Sequence, residues 1–370
     1  MKYMMTLIGA TLIAASAAAC ESDVADSENG NGVLSGGYDY AAILENTVTT
    51  TIIGTYGDLY SAAADLFDAV EALAEDTTEE NLSAAREAWV DTRIPWEQSE
   101  AFLFGPVADL GLDPALDSWP VDYVQLDQVL ASGLTLNGDT ITENLGGGLK
   151  GFHTIEYLLW GDDTKTAAAL ETGDRALDYL VAVSEALVTD AETLYKAWAS
   201  GDEIDGYGSF GESFYLAGKA GGRYFSQVDA IQQLINGMVD ICDEVANGKI
   251  ADPYDEQDVT LVESQFSYNS IQDFTDNIRS VQNVYTGIYN GAGSPGLTDY
   301  VSKTNAALDT RVKNEIQAAI DAIYAIVDGD EPFREAVVDS ARASGIEAAQ
   351  DAIRTVMDTM AGPVMATIVN

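Results

Sequence analysis

LENTVTTTIIGTYGDLYSAAADLFDAVEAL, residues 44–73, carries the pattern on which the fold is read. Leu44, Val48, Ile52, Tyr56, Leu59, Ala63, Leu66, Val70 and Leu73 recur at steps of three or four, which aligns them on one face of an α-helix. The helix is expected to end near Asp76, with Thr77 and Glu80 as a capping box for the next one. That next helix carries Trp89, Arg93, Trp96, Glu100 and Phe104 at the same spacing. Pro95 should kink it and Gly105-Pro106 should end it. Tyr179 to Trp198 repeats the amphipathic pattern through Leu180, Leu187, Leu194 and Trp198. Gly201 to Gly211 reads as an internal boundary, after which Ser209 and Glu212 cap a fresh helix. Its stripe is Ile231, Leu234, Ile235, Met238, Ile241, Cys242 and Val245. A loop over Gly248–Gln257, a helix from about Asn269 to Tyr289, and a long stripe from Leu297 to Val327 follow. Short helices after Pro332 and Gly345 close the chain. Strand signals are nearly absent, so the fold class is all-α. About four helices in each half suggest two bundles, 38–205 and 206–370, compatible with an old duplication.

Composition narrows the partners. Apolar residues make up 47% of the chain, as a globular protein requires. Seventeen basic residues against 61 acidic ones give a net charge of −44. Such a surface repels phosphate, which argues against nucleic acid and against adsorption to anionic lipid headgroups, and it attracts cations. Cys20 and Cys242 are the only cysteines. Cys242 sits within a helical stripe and reads as core, so disulfides do not hold this fold.

Residues 1–19 read as a signal peptide, with Lys2 as a short positive start, Leu7 to Ala15 as the apolar core, and Ala17-Ala18-Ala19 before Cys20 as a cleavage site. The segment is similar to a bacterial lipobox, with Ala17 where leucine is usual, and this implies acylation of Cys20. Residues 20–37 then form an acidic, Gly/Ser/Asn-rich tether. No other stretch has the length of apolar sequence that a membrane span needs. The expectation is a body held at the cell envelope by a lipid anchor.

The chemistry concentrates in Gly151-Phe152-His153-Thr154-Ile155-Glu156-Tyr157-Leu158-Leu159-Trp160-Gly161, which holds the only histidine of the 370 residues. On a helix, His153 and Glu156 share a face. Phe152, Ile155 and Leu159 form a second apolar stripe, so the segment should be buried and its polar groups must find partners. A satisfied core histidine is the plain alternative to a ligand. One imidazole cannot complete the two-histidine set of a zinc peptidase, and the cysteine count excludes thiolate sites. One imidazole with several carboxylates does suit iron or another divalent cation, zinc included. Arg93 and Glu100, two turns apart among aromatic residues, read either as a structural ion pair or as groups supporting the site. Ser267, Asn269 and Asp273, set between Phe266 and Phe274, read either as a helix cap or as part of the site.

Four segments together resemble the imelysin-like proteins. They are Ala88 to Pro106, which includes Arg93, Trp96 and Glu100; Asp117-Ser118-Trp119-Pro120-Val121-Asp122; the Gly-x-His-x-x-Glu of Gly151 to Glu156; and Glu263 to Ser270, running on through Asp273 and Asn277-Ile278-Arg279 to Asn283-Val284-Tyr285-Thr286-Gly287. The resemblance covers most of residues 38–330. It implies two packed four-helix-bundle domains with a functional site at their interface, an envelope location and a role in iron acquisition. It also implies His153 and Glu156 as metal-site residues, with Arg93, Trp96, Glu100, Ser267, Asn269 and Asp273 around them. Members of the family often carry further histidines, which this chain lacks. The expected function is therefore a lipoprotein that binds a metal ion or metal complex for uptake and serves a transporter. A His-x-x-Glu metallopeptidase and a non-catalytic, partner-binding lipoprotein are the alternatives.

Overall fold

The stripe in residues 44–73 is a helix, and its nine apolar positions are all fully buried. In the computed structural model this helix, α1 (residues 41–75), is continuous through a π-turn at Thr47–Ile52. The structure describes residues 38–161, 166–167, 170, 174–201, 209–329 and 331–369. Cys20, the signal peptide and the tether lie outside the described residues. Seven more principal helices follow: α2 (Glu79–Glu97), α3 (Gly151–Trp160), α4 (Arg175–Ala199), α5 (Gln227–Glu244), α6 (Ser270–Thr286), α7 (Ala306–Tyr324) and α8 (Ala343–Thr359). The described residues contain no strand, only one isolated bridge between Tyr289 and Ala292, so the protein is all-α.

Helix α1 packs against α2 and α4, and α3 fills the space between α2 and α4. Helices α5, α6, α7 and α8 pack around one another in the same way, α6 against α7, α7 against α8, and α8 back against α5. The two sets meet where α2 lies on α6 and where the short turn Glu100–Phe102 lies on α5. Residues from Asp39 onward form one compact unit. Most of the boundary expected between Gly201 and Gly211 falls on residues outside the described ones. No helix among the described residues is long and apolar enough to cross a membrane.

Local chemistry moved several boundaries. Thr78, not Thr77, caps α2, its hydroxyl accepting from the Asn81 amide, while the Thr77 hydroxyl donates to the Leu73 carbonyl of the preceding helix. Pro95 ends α2 more than it bends it: the helix stops at Glu97 and the chain continues as the 3₁₀ turn Glu100–Phe102. Ser209 does accept from the Glu212 amide, but it caps only Phe210–Tyr215. The Cys242 stripe belongs to α5, capped by Ser226 through the Asp229 amide. The expected loop at 248–257 is instead a π-turn, Val245–Lys249, followed by a helix, Ala251–Glu256. The Leu297–Val327 stripe breaks at Asn305, whose side chain accepts from the Leu308 amide to begin α7. Gly345 lies inside α8 instead of preceding it. Cys242 is a free, buried thiol that burial pushes up to about 12.

Helix α3 starts at a residue only glycine can supply. Gly151 has φ +76°, and a Cβ there would lie 2.2 Å from the Leu116 carbonyl oxygen. This close approach presses the start of α3 onto the short helix Asp113–Leu116 and brings Asp117 beside His153.

Candidate metal centre

His153 and Glu156 lie at the heart of a buried polar cluster that draws on both halves of the chain. The imidazole is fully buried between two carboxylates. Its Nδ1 is 3.1 Å from Glu156 Oε2, and its Nε2 is 3.1 Å from Asp117 Oδ1 and 3.7 Å from Glu263 Oε1. The imidazole and the Trp119 ring meet in an edge-type arrangement, with centroids 4.9 Å apart. Glu156 is held from the second half of the chain: its Oε1 accepts from the Phe266 amide at 3.0 Å, the Ser267 amide at 2.8 Å and the Ser267 hydroxyl at 2.8 Å. Glu156 is thereby the orienter of His153, with Nδ1 engaged and Nε2 presented to Asp117 and Glu263.

Beneath the imidazole lies Arg93, fully buried, with its guanidinium over the Phe152 ring at 4.9 Å. It pairs tightly with Glu97, one turn along α2, and with Asp117, and it reaches Glu263 at 3.1 Å. Asp273 lies 3.6 Å from its Nε. Trp96 Nε1 donates to Asp117 Oδ2 at 2.7 Å, and Asn269 Nδ2 donates to Asp273 Oδ1 at 2.7 Å. Glu100 does not pair with Arg93. It stands in the turn beyond α2, with Lys249 Nζ 3.8 Å from its Oε1. Arg93 and Trp96 thus reach His153 through Asp117, Ser267 reaches it through Glu156, Asp273 stands one step further out beside Arg93, Asn269 buttresses Asp273, and Glu100 lines the approach.

The approach is a cleft of about 360 Å³. Glu100, Asp113, Asp117, Glu244, Asp252 and Glu263 supply its carboxylates, Lys249 its one ammonium, and Trp119, Pro120 and Leu261 its apolar wall.

Burial and charge pull these groups in opposite directions. Burial pushes Glu97 up to about 8 despite Arg93 and Lys249, and it pushes Asp273 up to about 6. Glu100 is raised by burial against the opposing pull of Lys249. For Asp117, the attraction of Arg93 and His153 outweighs burial and holds the carboxyl well below the usual range. Lys249 and His153 likewise overcome burial at Glu263, which falls to about 2. Burial opposes the imidazolium of His153, yet Asp117, Glu156 and Glu263 raise it well above 6.5.

One oxygen each from Asp117 and Glu263 and one nitrogen of His153 all lie within 4.8 Å of one another. A second trio, Glu97, Glu100 and Asp117, meets the same test and shares Asp117. His153 Nε2 and Glu263 Oε2 are both buried without an aligned hydrogen-bond partner. Nε2 faces Asp117 and Oε2 faces Lys249, and an imidazole nitrogen converging with two carboxylates in an oxygen-rich site fits a hard divalent cation such as iron.

Asp117, Glu263, Glu97, Trp119 and Lys249 complete the centre beyond the residues singled out from sequence. Asp117, Trp119 and Glu263 stood in the segments of family resemblance, but no local spacing links them to His153. Lys249 stood in a stretch read as a loop.

The comparisons agree with this architecture. The Imelysin family model matches residues 52–360, so the chain belongs to the imelysin family. It is similar to iron-regulated protein A of Synechococcus elongatus, 28% identical over 318 residues, covering 86% of this chain and 83% of the relative. It is also similar to the solved structure of a Parabacteroides distasonis protein assigned as an iron-regulated protein A precursor, with TM-score 0.79 and 29% identity over 90% of this chain and 97% of the other. An imelysin-like protein from Psychrobacter arcticum shares the fold, with TM-score 0.69 at 14% identity over 90% of this chain and 98% of the other.

Proposed function

We propose that this protein binds a metal ion at Asp117, His153 and Glu263, and that it does so as a lipid-anchored envelope protein in iron uptake. The observation that carries the reading is the convergence of His153 with the Asp117 and Glu263 carboxylates, one ligand atom of each lying within 4.8 Å of the others at the acidic cleft. Two relatives bear the name iron-regulated protein A, which supports iron as the metal. The carboxylate lining of the cleft supports a cation as the species that enters, because six acids around one ammonium repel an anionic chelate. The envelope anchor rests on Ala17 to Cys20, and a transporter as partner follows from the uptake role.

When bound, the metal supplies a concentrated positive charge that the buried carboxylates lack. Asp117 and Glu263 would contribute oxygen and His153 its Nε2. Glu156 would fix the ring through Nδ1, and Trp119 would shield it from water. The geometry speaks against the peptidase alternative: Glu156, the acid of His-x-x-Glu, is fully buried and bonded to three donors and the imidazole. It is placed to orient His153 and not to activate water.

Calorimetric titration with anaerobic ferrous ion, and with manganous ion as an air-stable counterpart, tests the reading. The wild-type chain should bind one equivalent, and His153→Ala should remain folded and lose measurable binding. Equal affinity in the two proteins would remove His153 from the site. Wild-type peptide hydrolysis that disappears in Glu156→Gln would restore the peptidase.

A further inference from the structure

The cleft already contains a cation of its own. Lys249 Nζ lies 3.2 Å from Glu263 Oε2, 3.6 Å from Glu97 Oε2, 3.8 Å from Glu100 Oε1 and 3.9 Å from Glu244 Oε1. Four carboxylates around one ammonium form the kind of oxygen-rich nest that a metal ion occupies elsewhere. Among them Glu263 is shared. Its Oε1 is 3.3 Å from the ammonium and 3.7 Å from His153 Nε2, so the same carboxylate serves Lys249 and the metal seat.

The backbone sets Lys249 in that place. Helix α5 does not stop at Glu244 but widens into the π-turn Val245–Lys249, an insertion of the kind often found at functional sites. From α8, Gln350 Nε2 donates to the Ala246 carbonyl oxygen at 2.9 Å inside that turn. The lysine side chain is 10% exposed and lines the cleft beside Gly248. Unlike Arg93, which is sealed in the core, Lys249 has a flexible four-carbon stem and a path to water. Burial opposes its charge, but Glu100, Glu263 and Glu97 keep it protonated.

We infer that Lys249 is a stand-in cation: its ammonium holds the cleft carboxylates together until a divalent ion enters at Asp117, His153 and Glu263, and then moves toward solvent. The inference rests on the metal-binding reading above and names what tunes it. Glu263 cannot serve both cations at full strength, since a divalent ion and an ammonium a few ångströms apart repel each other in a poorly screened site. Lys249 therefore weakens metal binding to a level from which the ion can be passed on, and it stops the empty acidic cleft from flying apart. A lysine that only staples the two helix sets together would do the opposite: its loss would loosen the site and weaken binding.

Manganous chloride titrated into the full chain separates these roles. Lys249→Met should bind Mn²⁺ at least about tenfold more tightly than wild type, with one equivalent bound in both. Lys249→Arg, which keeps the charge, should not tighten. Equal or weaker binding by a Lys249→Met protein with an unchanged circular dichroism spectrum overturns the inference while leaving the metal-binding reading intact. Binding by Lys249→Met but not by wild type supports the stand-in role and removes the proposed function as stated. Absence of binding in both sinks the two together. Should Lys249→Met fail to fold, a crystal of wild type soaked in Mn²⁺ decides instead. An ammonium moved out of reach of Glu97 and Glu263 upholds the inference, and one still seated among the four carboxylates with the metal bound overturns it.

Discussion

At the residue scale, the centre depends on which nitrogen of His153 faces Asp117 and Glu263. Glu156 binds Nδ1 and is itself held by the Phe266 and Ser267 amides and the Ser267 hydroxyl. Glu156→Gln replaces one carboxylate oxygen by an amide nitrogen, which donates and does not accept, so the side chain can no longer accept from Nδ1 on one atom and from three donors on the other. It should weaken metal affinity about 10- to 100-fold, the usual effect of losing a ligand's orienting partner, and calorimetric titration measures this directly. The pH dependence has a definite sign. His153 is raised above 6.5, so its ion pairs stabilise the metal-free fold fully below about pH 6.5, and this support is lost as pH rises through the folded value. Glu97 is raised from 4.5 to about 8, so the metal-free fold also weakens from about pH 4.5 to 8, as a buried carboxylate is forced to ionise. A cation bound as proposed would displace the proton at Nε2 and neutralise carboxylates. Thermal unfolding with and without Mn²⁺ should therefore show a larger gain in Tm at pH 8 than at pH 5.5. An equal gain at both values would mean that the metal does not compete with these protons.

At the scale of elements, the fit of α3 against the Asp113–Leu116 turn sets the distance from His153 to Asp117. Gly151 makes that fit possible, with its positive φ and its contact with the Leu116 carbonyl. Gly151→Ala should cost at least about 1–3 kcal/mol in backbone strain alone, read as a lowered urea midpoint at unchanged slope. It should also reduce metal affinity, because the clash parts α3 from the segment bearing Asp117. Wild-type affinity in a destabilised Gly151→Ala protein would show that the two segments need not touch. The π-turn at Val245–Lys249 has a comparable part, since it ends at Lys249, which lines the cleft.

For the molecule as a whole, a net charge of −44 and an acid-lined cleft set up a field that should attract cations and repel phosphate. Attachment to the envelope is a separate proposal, which rests on residues 17–20. Mass spectrometry of the mature protein should find a diacylglyceryl group on Cys20, and Cys20→Ser should abolish it and release the protein from membranes. An unmodified N-terminus at another residue would remove the anchor without touching the metal centre.

Periodicity alone made the helical class legible, because burying one face of a 3.6-residue repeat is a local requirement written into every turn; all nine positions of the first stripe proved buried. Helix ends were less legible. Thr78 displaced Thr77, Ser226 took the cap assigned to Ser209, and Asn305 split a stripe that looked continuous, since competing polar residues lie within a few positions and only the packed backbone selects among them. His153 and Glu156 were visible as neighbours on one helix. Their roles were not, because the Glu156 oxygens are claimed by amides at 266 and 267, and Nε2 is turned toward Asp117 and Glu263. Lys249 was hidden altogether in an apparent loop. Local sequence dictates which face of a helix seeks the core, but a buried site is assembled from residues distant along the chain. Which carboxylates share a charge is settled only when the helices that carry them have packed.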